Sequence, residues 1–340
     1  MVTISDVAAH AGVGAGTVSR VLNNSPRVSP DTRARVMAAI DVLDYRPSPL
    51  ARGLSRGRAH TFGVVVPFFP APSAVERIHG VIRALHGSRY DLVLFNVESL
   101  EERDHHFTNL LRRDRADGLL VLSLPPPAAQ LERLARAGVP VVLVDVSADG
   151  FPSVVTDDVH GGRLATDHLL SLGHRRIAFL GEEPVNPFGF ASSARREQGY
   201  REALADAGVA PDPRYVKHGP HDRTVGQRLA ERLLAFKQPP TAVFAASDVL
   251  ALGVLEAAAQ AGVRVPDDLS IVGFDDVEVA SLVGLTTVRQ PLFESGDLGA
   301  RLLLEALGGE GAPAAVVHEL PLELVVRSTT GPPPRRRART

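Results

Sequence analysis

The stretch Thr3-Ile4-Ser5-Asp6-Val7-Ala8-Ala9-His10-Ala11-Gly12-Val13-Gly14-Ala15-Gly16-Thr17-Val18-Ser19-Arg20-Val21-Leu22-Asn23 decides how this chain is organised. Thr3 with Asp6 reads as a capping box. Ile4, Val7, Ala8 and Ala11 fall at i, i+3, i+4 and i+7, which predicts a short helix with one apolar stripe. Gly12 supplies the left-handed residue that stops this helix, Val13 is the apolar residue of a tight turn, and a second helix begins near Gly14. In the second helix Val18, Val21 and Leu22 point one way and Gly16, Arg20 and Asn23 the other, with Thr17 and Ser19 on the flanks. An apolar back and an Arg/Asn/Thr front suit the major groove of DNA, whose base edges ask for donors and acceptors. The bland alternative is a helical hairpin with a solvated face.

Working outward, Ser29-Pro30-Asp31 carries a cap, a proline at the first helical position and an acid in the first turn, and Val36, Ile40 and Leu43 line one face of the helix that follows. Three short helices closing on one small core give an all-α head over residues 1–46, which Tyr45-Arg46-Pro47 ends. Residues 47–60 are a linker rich in Pro, Gly and Arg. Leu50 and Leu54 would share a helix face, but Gly53 and Gly57 each cost about 1 kcal/mol in a helix, so this one forms only with support.

From Phe62 the pattern changes. Apolar runs at 62–66, 92–95, 119–122, 141–144, 177–180, 242–245 and 270–274 alternate with helical stretches such as 74–86, 158–172, 194–207, 222–236 and 247–261. Short, wholly apolar strands alternating with helices imply parallel sheets covered on both faces. Residues 61–330 are more than one sheet accommodates, so two α/β lobes facing each other across a cleft are expected. Ligands of open α/β sheets sit beyond the carboxyl ends of the strands. The residues there are Phe68, Phe69 and Ser73, then Asp145, Asp157 and Asp158, then Phe188, Phe190, Ser192 and Arg196, then Ser247 with Asp248 and Asp275 with Asp276. Carboxylates, an Arg and aromatic rings on one cleft suit a polyhydroxylated ligand, while Asp158 and Asp248 also read as helix N-caps. The tail, residues 331–340, holds prolines and arginines but nothing apolar to pack, and is expected to be disordered.

The net charge of −2 conceals a split: through residue 60 there are eight Arg against four Asp, whereas residues 61–330 carry 25 basic and 35 acidic residues. A basic head on an acidic body fits a protein whose head alone meets a polyanion. With no cysteine, disulfides, thiol catalysis and Cys-based zinc sites are excluded. No run approaches the roughly 20 apolar residues of a membrane span, and no charged-then-apolar leader is seen, so a cytoplasmic location with no membrane partner is expected.

The sequence resembles the LacI/GalR family of bacterial transcription regulators over residues 3–329. The resemblance is carried in the head by Asp6-Val7-Ala8, Gly12-Val13 and Thr17-Val18-Ser19-Arg20-Val21-Leu22-Asn23, and after it by Tyr45-Arg46-Pro47 and Ala51-Arg52-Gly53-Leu54. In the body it is carried by Leu172-Gly173-His174-Arg175-Arg176-Ile177, Arg196-Glu197-Gln198-Gly199-Tyr200, Ser247-Asp248, Ile271-Val272-Gly273-Phe274-Asp275-Asp276 and Thr287-Val288-Arg289-Gln290-Pro291. It implies a helix-turn-helix head, a type I periplasmic-binding-protein-like body, a homodimer, double-stranded operator DNA as partner and a small effector, a sugar or sugar derivative. It also implies a hinge helix over 49–57 whose leucine, here Leu54, wedges into the minor groove. The positions it assigns to DNA are Thr3, Ala15, Gly16, Thr17, Ser19, Arg20 and Asn23 in the head with Arg52 and Leu54 in the hinge. Those it assigns to the effector are Ser73, Asp145, Asp157, Ser192, Arg196, His221, Ser247 and Asp275, to which the strand-end reading adds Phe68, Phe69 and Phe190. No cofactor, metal or catalytic residue is implied.

Departures from the family pattern are informative. Ala15 and Gly16 stand at the two specificity positions of the recognition helix and cannot hydrogen-bond a base through a side chain. Phe190 stands where some relatives carry a charge, which disfavours an anionic effector, and no C-terminal heptad pattern of the kind that makes tetramers is present. Two other function classes compete. A solute-binding protein for transport predicts an export signal and no head. An enzyme could draw on Asp104-His105-His106 or on His218 with His221-Asp222, but adjacent histidines on a polar helix are ordinarily a solvated face. The run from Gly12 to Gly16 mimics a phosphate loop without the strand that must precede one.

Overall fold

A computed structural model describes residues 2–45, 60–110, 115–309 and 315–334. The chain divides into an N-terminal unit ending at His60 and a larger unit from Thr61 onward. In the first, helices α1 (Ile4–Ala11), α2 (Ala15–Leu22) and α3 (Pro30–Val42) enclose Val7, Val18, Val21, Val36 and Tyr45. The capping box forms in both directions: the Thr3 hydroxyl accepts from the Asp6 N–H, and the Thr3 N–H donates to the Asp6 carboxylate at 2.8 Å. The latter bond holds the Asp6 carboxyl below its ordinary pKa. Gly12 closes α1 at φ 62°, and Ser29 caps α3 with Pro30 at its first position. Arg33 of α3 donates to the carbonyls of Val21 and Ser25 and to the Asn24 side chain, tying down the turn that follows α2. Residues 46–59 lie outside the described residues, and with them almost all of the linker, including Leu50, Arg52 and Leu54.

The larger unit contains two six-stranded sheets. The first holds β1 (Thr61–Pro67), β2 (Asp91–Val97), β3 (Gly118–Leu122), β4 (Val141–Val144), β5 (Ser153–Val155) and β11 (Val317–Glu319), in the order β11-β5-β4-β3-β1-β2. The second holds β6 (Ile177–Gly181), β7 (Val216–His218), β8 (Ala242–Ala245), β9 (Ser270–Asp275), β10 (Thr286–Arg289) and β12 (Glu323–Val325), in the order β12-β10-β9-β8-β6-β7. Every pairing is parallel except β10 with β12. The central strands β3, β4, β6, β8 and β9 are buried along their whole length, which is why their sequences are continuous apolar runs rather than alternating ones.

The chain crosses between the lobes three times. After β5 the helix Asp158–Ser171 packs on the second sheet, after β10 the helix Leu292–Gly308 returns to the first, and β11 leads directly to β12. Each crossover helix is pressed against the first helix of the lobe it joins, with glycine on both sides of the contact. A Cβ at Gly199 would overlap the Val159 carbonyl and one at Gly162 the Arg196 carbonyl; Gly80 and Gly296 stand in the same relation to Phe293 and Arg77. The described C-terminal end is also bonded to the body. The Gly331 carbonyl accepts from Ser270, and His174, fully buried, lies 2.8 Å from it, so residue 331 belongs to the packed structure rather than to a disordered tail. Residues 335–340 lie outside the described residues. No helix among the described residues is long and apolar enough to cross a membrane.

Candidate functional site

Both strand orders reverse direction beside their first strand, between β1 and β3 and between β6 and β8, and such switch points open a crevice at the carboxyl ends of the strands. The two crevices face one another and together bound a cavity of about 620 Å³. Four of its lining residues, Phe68, Ser123, Asp145 and Asp275, lie in left-handed backbone at φ 50°, 54°, 68° and 117°. For non-glycine residues such conformations cost on the order of 1–3 kcal/mol each and persist where the surroundings enforce them.

The floor is a chain of buried charges. From the second lobe Arg196 donates to Asp158 at 2.8 Å and to the Ala246 carbonyl at 2.7 Å, stands 3.8 Å from Asp275 and lies 3.7 Å from the centroid of the Phe274 ring. From the first lobe Arg77 pairs with Asp145 at 3.1 Å and donates to Gln290, which in turn donates to Asp275 at 2.6 Å. Burial raises the pKa of Asp158 and Asp275, an effect that the Arg196 charge partly offsets. Burial alone would lower Arg196, but the carboxylates Asp158, Asp275 and Asp145 outweigh it and hold the guanidinium above its ordinary value. Behind the floor, Asp248 is pushed up to about 8, first by burial and then by the Asp275 charge.

The other end of the cavity is aromatic. Phe68 from the first lobe meets Phe188 and Phe190 from the second edge-on, at 5.3 and 6.2 Å, and those two stack on each other at 5.3 Å. Phe188 and Phe190 also rest on the apolar core of the first lobe, so the loop after β6 bridges the cleft.

Of the residues singled out in the sequence, Phe68, Ser73, Asp145, Phe190, Ser192, Arg196, His221, Ser247 and Asp275 line this cavity, and Phe69 and Asp157 do not. Phe69 is exposed, and its backbone N–H donates to the Asn96 side chain. Asp157 is exposed and caps the helix Asp158–Ser171 by accepting from the Val159 and His160 N–H groups. The two caps read into the sequence are therefore each displaced by one residue. Asp157 caps in place of Asp158, freeing Asp158 to pair with Arg196, and Ser247 caps in place of Asp248. Asp248 instead accepts from the Val277 N–H and the Thr287 hydroxyl. Arg77 and Gln290 escaped the sequence reading. A signal for Arg77 exists, since Arg77-Ile78-His79-Gly80 repeats the spacing of Arg196-Glu197-Gln198-Gly199.

In the N-terminal unit, Thr3, Ala15, Gly16 and Arg20 are exposed and Thr17, Ser19 and Asn23 half-buried, all of them outside the small apolar core. Arg52 and Leu54 lie outside the described residues. Of the histidines considered for an enzyme, His105 lies 2.9 Å from Asn109, His106 3.1 Å from the Asn96 carbonyl and His218 2.7 Å from Glu197, while His221 lines the cavity 3.8 Å from Glu182. Among the described residues no group of three His, Cys, Asp or Glu could hold a metal ion.

Residues 3–48 match the family described as bacterial regulatory proteins, lacI family, and residues 166–330 match the periplasmic binding protein-like domain. The chain is 34% identical to catabolite control protein A of Priestia megaterium across 97% of this chain and 99% of that protein. Among solved structures it is similar to the transcriptional regulator CelR in complex with cellobiose, with 36% identity, a TM-score of 0.69 and coverage of 97% of this chain and 100% of that one. It is also similar to the lac repressor dimer bound to operator and the anti-inducer ONPF, with 29% identity, a TM-score of 0.78 and coverage of 97% and 99%. A capped helix-turn-helix unit followed by two facing α/β lobes, aligned with these regulators almost end to end, means that the chain belongs to the lacI family of bacterial regulatory proteins.

Proposed function

We propose that the protein is a dimeric transcriptional repressor whose hold on operator DNA is set by a small neutral effector, a sugar or sugar derivative, bound between its lobes. The observation that carries this reading is the cavity floor, where two guanidinium groups and the carboxylates of Asp145 and Asp275 converge beneath aromatic rings. Such a mixture of donors, acceptors and ring faces is what hydroxyl groups on an apolar-faced ring need. Relatives described with cellobiose and with operator support both halves of the reading. Arg20, Thr17 and Ser19 carry direct readout of the major groove, Ala15 and Gly16 leave their base pairs to shape or methyl contact, and Arg52 and Leu54 act at the minor groove. The body regulates and does not catalyse.

The test is a binding-site selection with the purified full chain, followed by titration of the selected DNA. A palindromic site is expected, with affinity falling steeply as salt rises, and Arg20→Ala should cost about 1–3 kcal/mol and relax the preference at one base pair per half-site. Absence of any sequence preference, or an Arg20→Ala protein that binds unchanged, would overturn the reading.

A further inference from the structure

We propose that the effector is an uncharged glycoside of two rings, one ring held between the Arg–Asp pairs of the floor and the other lying against Phe68, Phe188 and Phe190. The proposal rests on the repressor reading above and narrows its ligand. Size gives the first reason. The cavity holds about 620 Å³. Even at the roughly 30 Å³ that each water molecule occupies in the liquid, the twelve heavy atoms of a hexose fill only about 360 Å³. One ring leaves the site partly empty.

The second reason is that polarity and depth run together. Arg77, Arg196, Asp275 and Gln290 are 3–6% exposed, whereas Phe68 is 45% exposed at the other end. A ring rich in hydroxyls belongs at the deep end, where the side chains of Arg77, Arg196, Asp145, Asp275 and Gln290 line the cavity and offer donors and acceptors together. At the outer end, three phenylalanines offer apolar area and almost no hydrogen bonding, which suits the flat face of a second pyranose or an aryl aglycone. A single sugar would satisfy the floor and leave these rings to water.

Charge excludes the anionic alternatives. Asp145, Glu182, Glu183 and Asp275 line the cavity, and both guanidinium groups that face them are already paired with carboxylates. A phosphate or carboxylate on the ligand would meet like charge in a buried setting, and among the described residues each Arg of the lining already has a carboxylate partner.

Calorimetric titration of the full chain tests the proposal, using cellobiose, maltose and 4-nitrophenyl β-glucoside against glucose, ribose and glucose 6-phosphate. At least one two-ring compound is expected to bind tenfold or more tighter than any single-ring sugar, with glucose 6-phosphate weaker than glucose. Phe188→Ala should cut the ratio of two-ring to glucose affinity by most of that advantage, and Phe188→Tyr should keep it. A single-ring sugar that matches the best two-ring compound, or a preference for glucose 6-phosphate, would overturn the proposal and leave the repressor reading standing. If none of the six binds to protein that still recognises its selected DNA site, the proposal and the sugar component of that reading both fall.

Discussion

Replacing Arg196 by methionine removes the cation from a site where it is surrounded on every side. Asp158 at 2.8 Å, the Ala246 carbonyl at 2.7 Å, Asp275 at 3.8 Å and the Phe274 ring at 3.7 Å all lose a partner at once. Leaving a buried carboxylate without its cation costs on the order of 3–5 kcal/mol, and a desolvated cation–π contact adds up to about 2. These contributions overlap, so about 4 kcal/mol is expected for the body at pH 8. In a unit of this size that lowers the thermal midpoint by roughly 10 °C. The pH dependence identifies the cause. With Arg196 gone, Asp158 and Asp275 have folded-state pKa values still higher than those burial already gives them. The variant therefore recovers stability as pH falls and the folded protein takes up protons, so its deficit is smaller at pH 5 than at pH 8. Adding Asp158→Asn to Arg196→Met should return more than half of the loss. Urea titrations followed by circular dichroism at both pH values measure this. A deficit below about 1 kcal/mol, or one that grows toward low pH, would refute the view of the floor as a desolvated charge cluster.

Three further outcomes are expected. Gly199→Ala places a methyl group on the Val159 carbonyl and must push the two packed helices apart, so it should destabilise the body by about 1–3 kcal/mol or more; an unchanged midpoint would show that this crossing is loose. Asp248, pushed up to about 8, stabilises the fold most while protonated, and that contribution fades as pH rises from about 4 through 8 at up to ~1.4 kcal/mol per unit. Asp248→Asn keeps the geometry without the titration, so its stability should vary less with pH than that of the parent across this window; identical slopes would contradict the assignment. Arg33→Met leaves the Val21 and Ser25 carbonyls without their donor, and hydrogen exchange in the full chain should speed up over residues 23–27; unaltered protection there would show that the turn after α2 holds itself.

Much of this was legible because it is written locally. The capping box at Thr3, the left-handed Gly12 and the Ser29-Pro30 start each fix a helix end within a few residues, and the buried strands announce themselves by uninterrupted apolar runs. Shorter elements carry no such period: β5, β7, β11 and β12 have three residues each and are specified by their neighbours in the sheet. The site was legible where strands end and opaque where helices begin. Adjacent acids such as Asp157 and Asp158 are chemically alike, and only the turn geometry decides which one caps and which one turns inward to Arg196. Arg77 was missed because it lies a full turn inside a helix, where an arginine normally reads as solvated surface, yet here it is 3% exposed.

The two lobes repeat one plan, and the point at which the repeat fails is the point at which they are joined. β1 to β5 occupy the same places in the first sheet as β6 to β10 in the second, and each lobe sets an Arg three residues before a crossing glycine, facing an Asp at the end of a central strand. Arg196 has a second carboxylate, Asp158, within its own lobe. Arg77 has none among the described residues, and its further partner is Gln290. Gln290 lies on the second crossover, between β10 of one lobe and the helix Leu292–Gly308 of the other, and is fastened to Asp275 through both its N–H and its side chain. A rotation of one lobe against the other that changes the separation of Arg77 and Asp275 strains Arg77–Gln290 or Gln290–Asp275, two bonds made in the floor of the cavity. A molecule bound between the forks meets the same donors and acceptors that fix the angle of the lobes. Its occupancy and that angle are linked thermodynamically without any separate transmission path, because whatever stabilises one arrangement of Arg77, Gln290 and Asp275 is itself favoured by that arrangement.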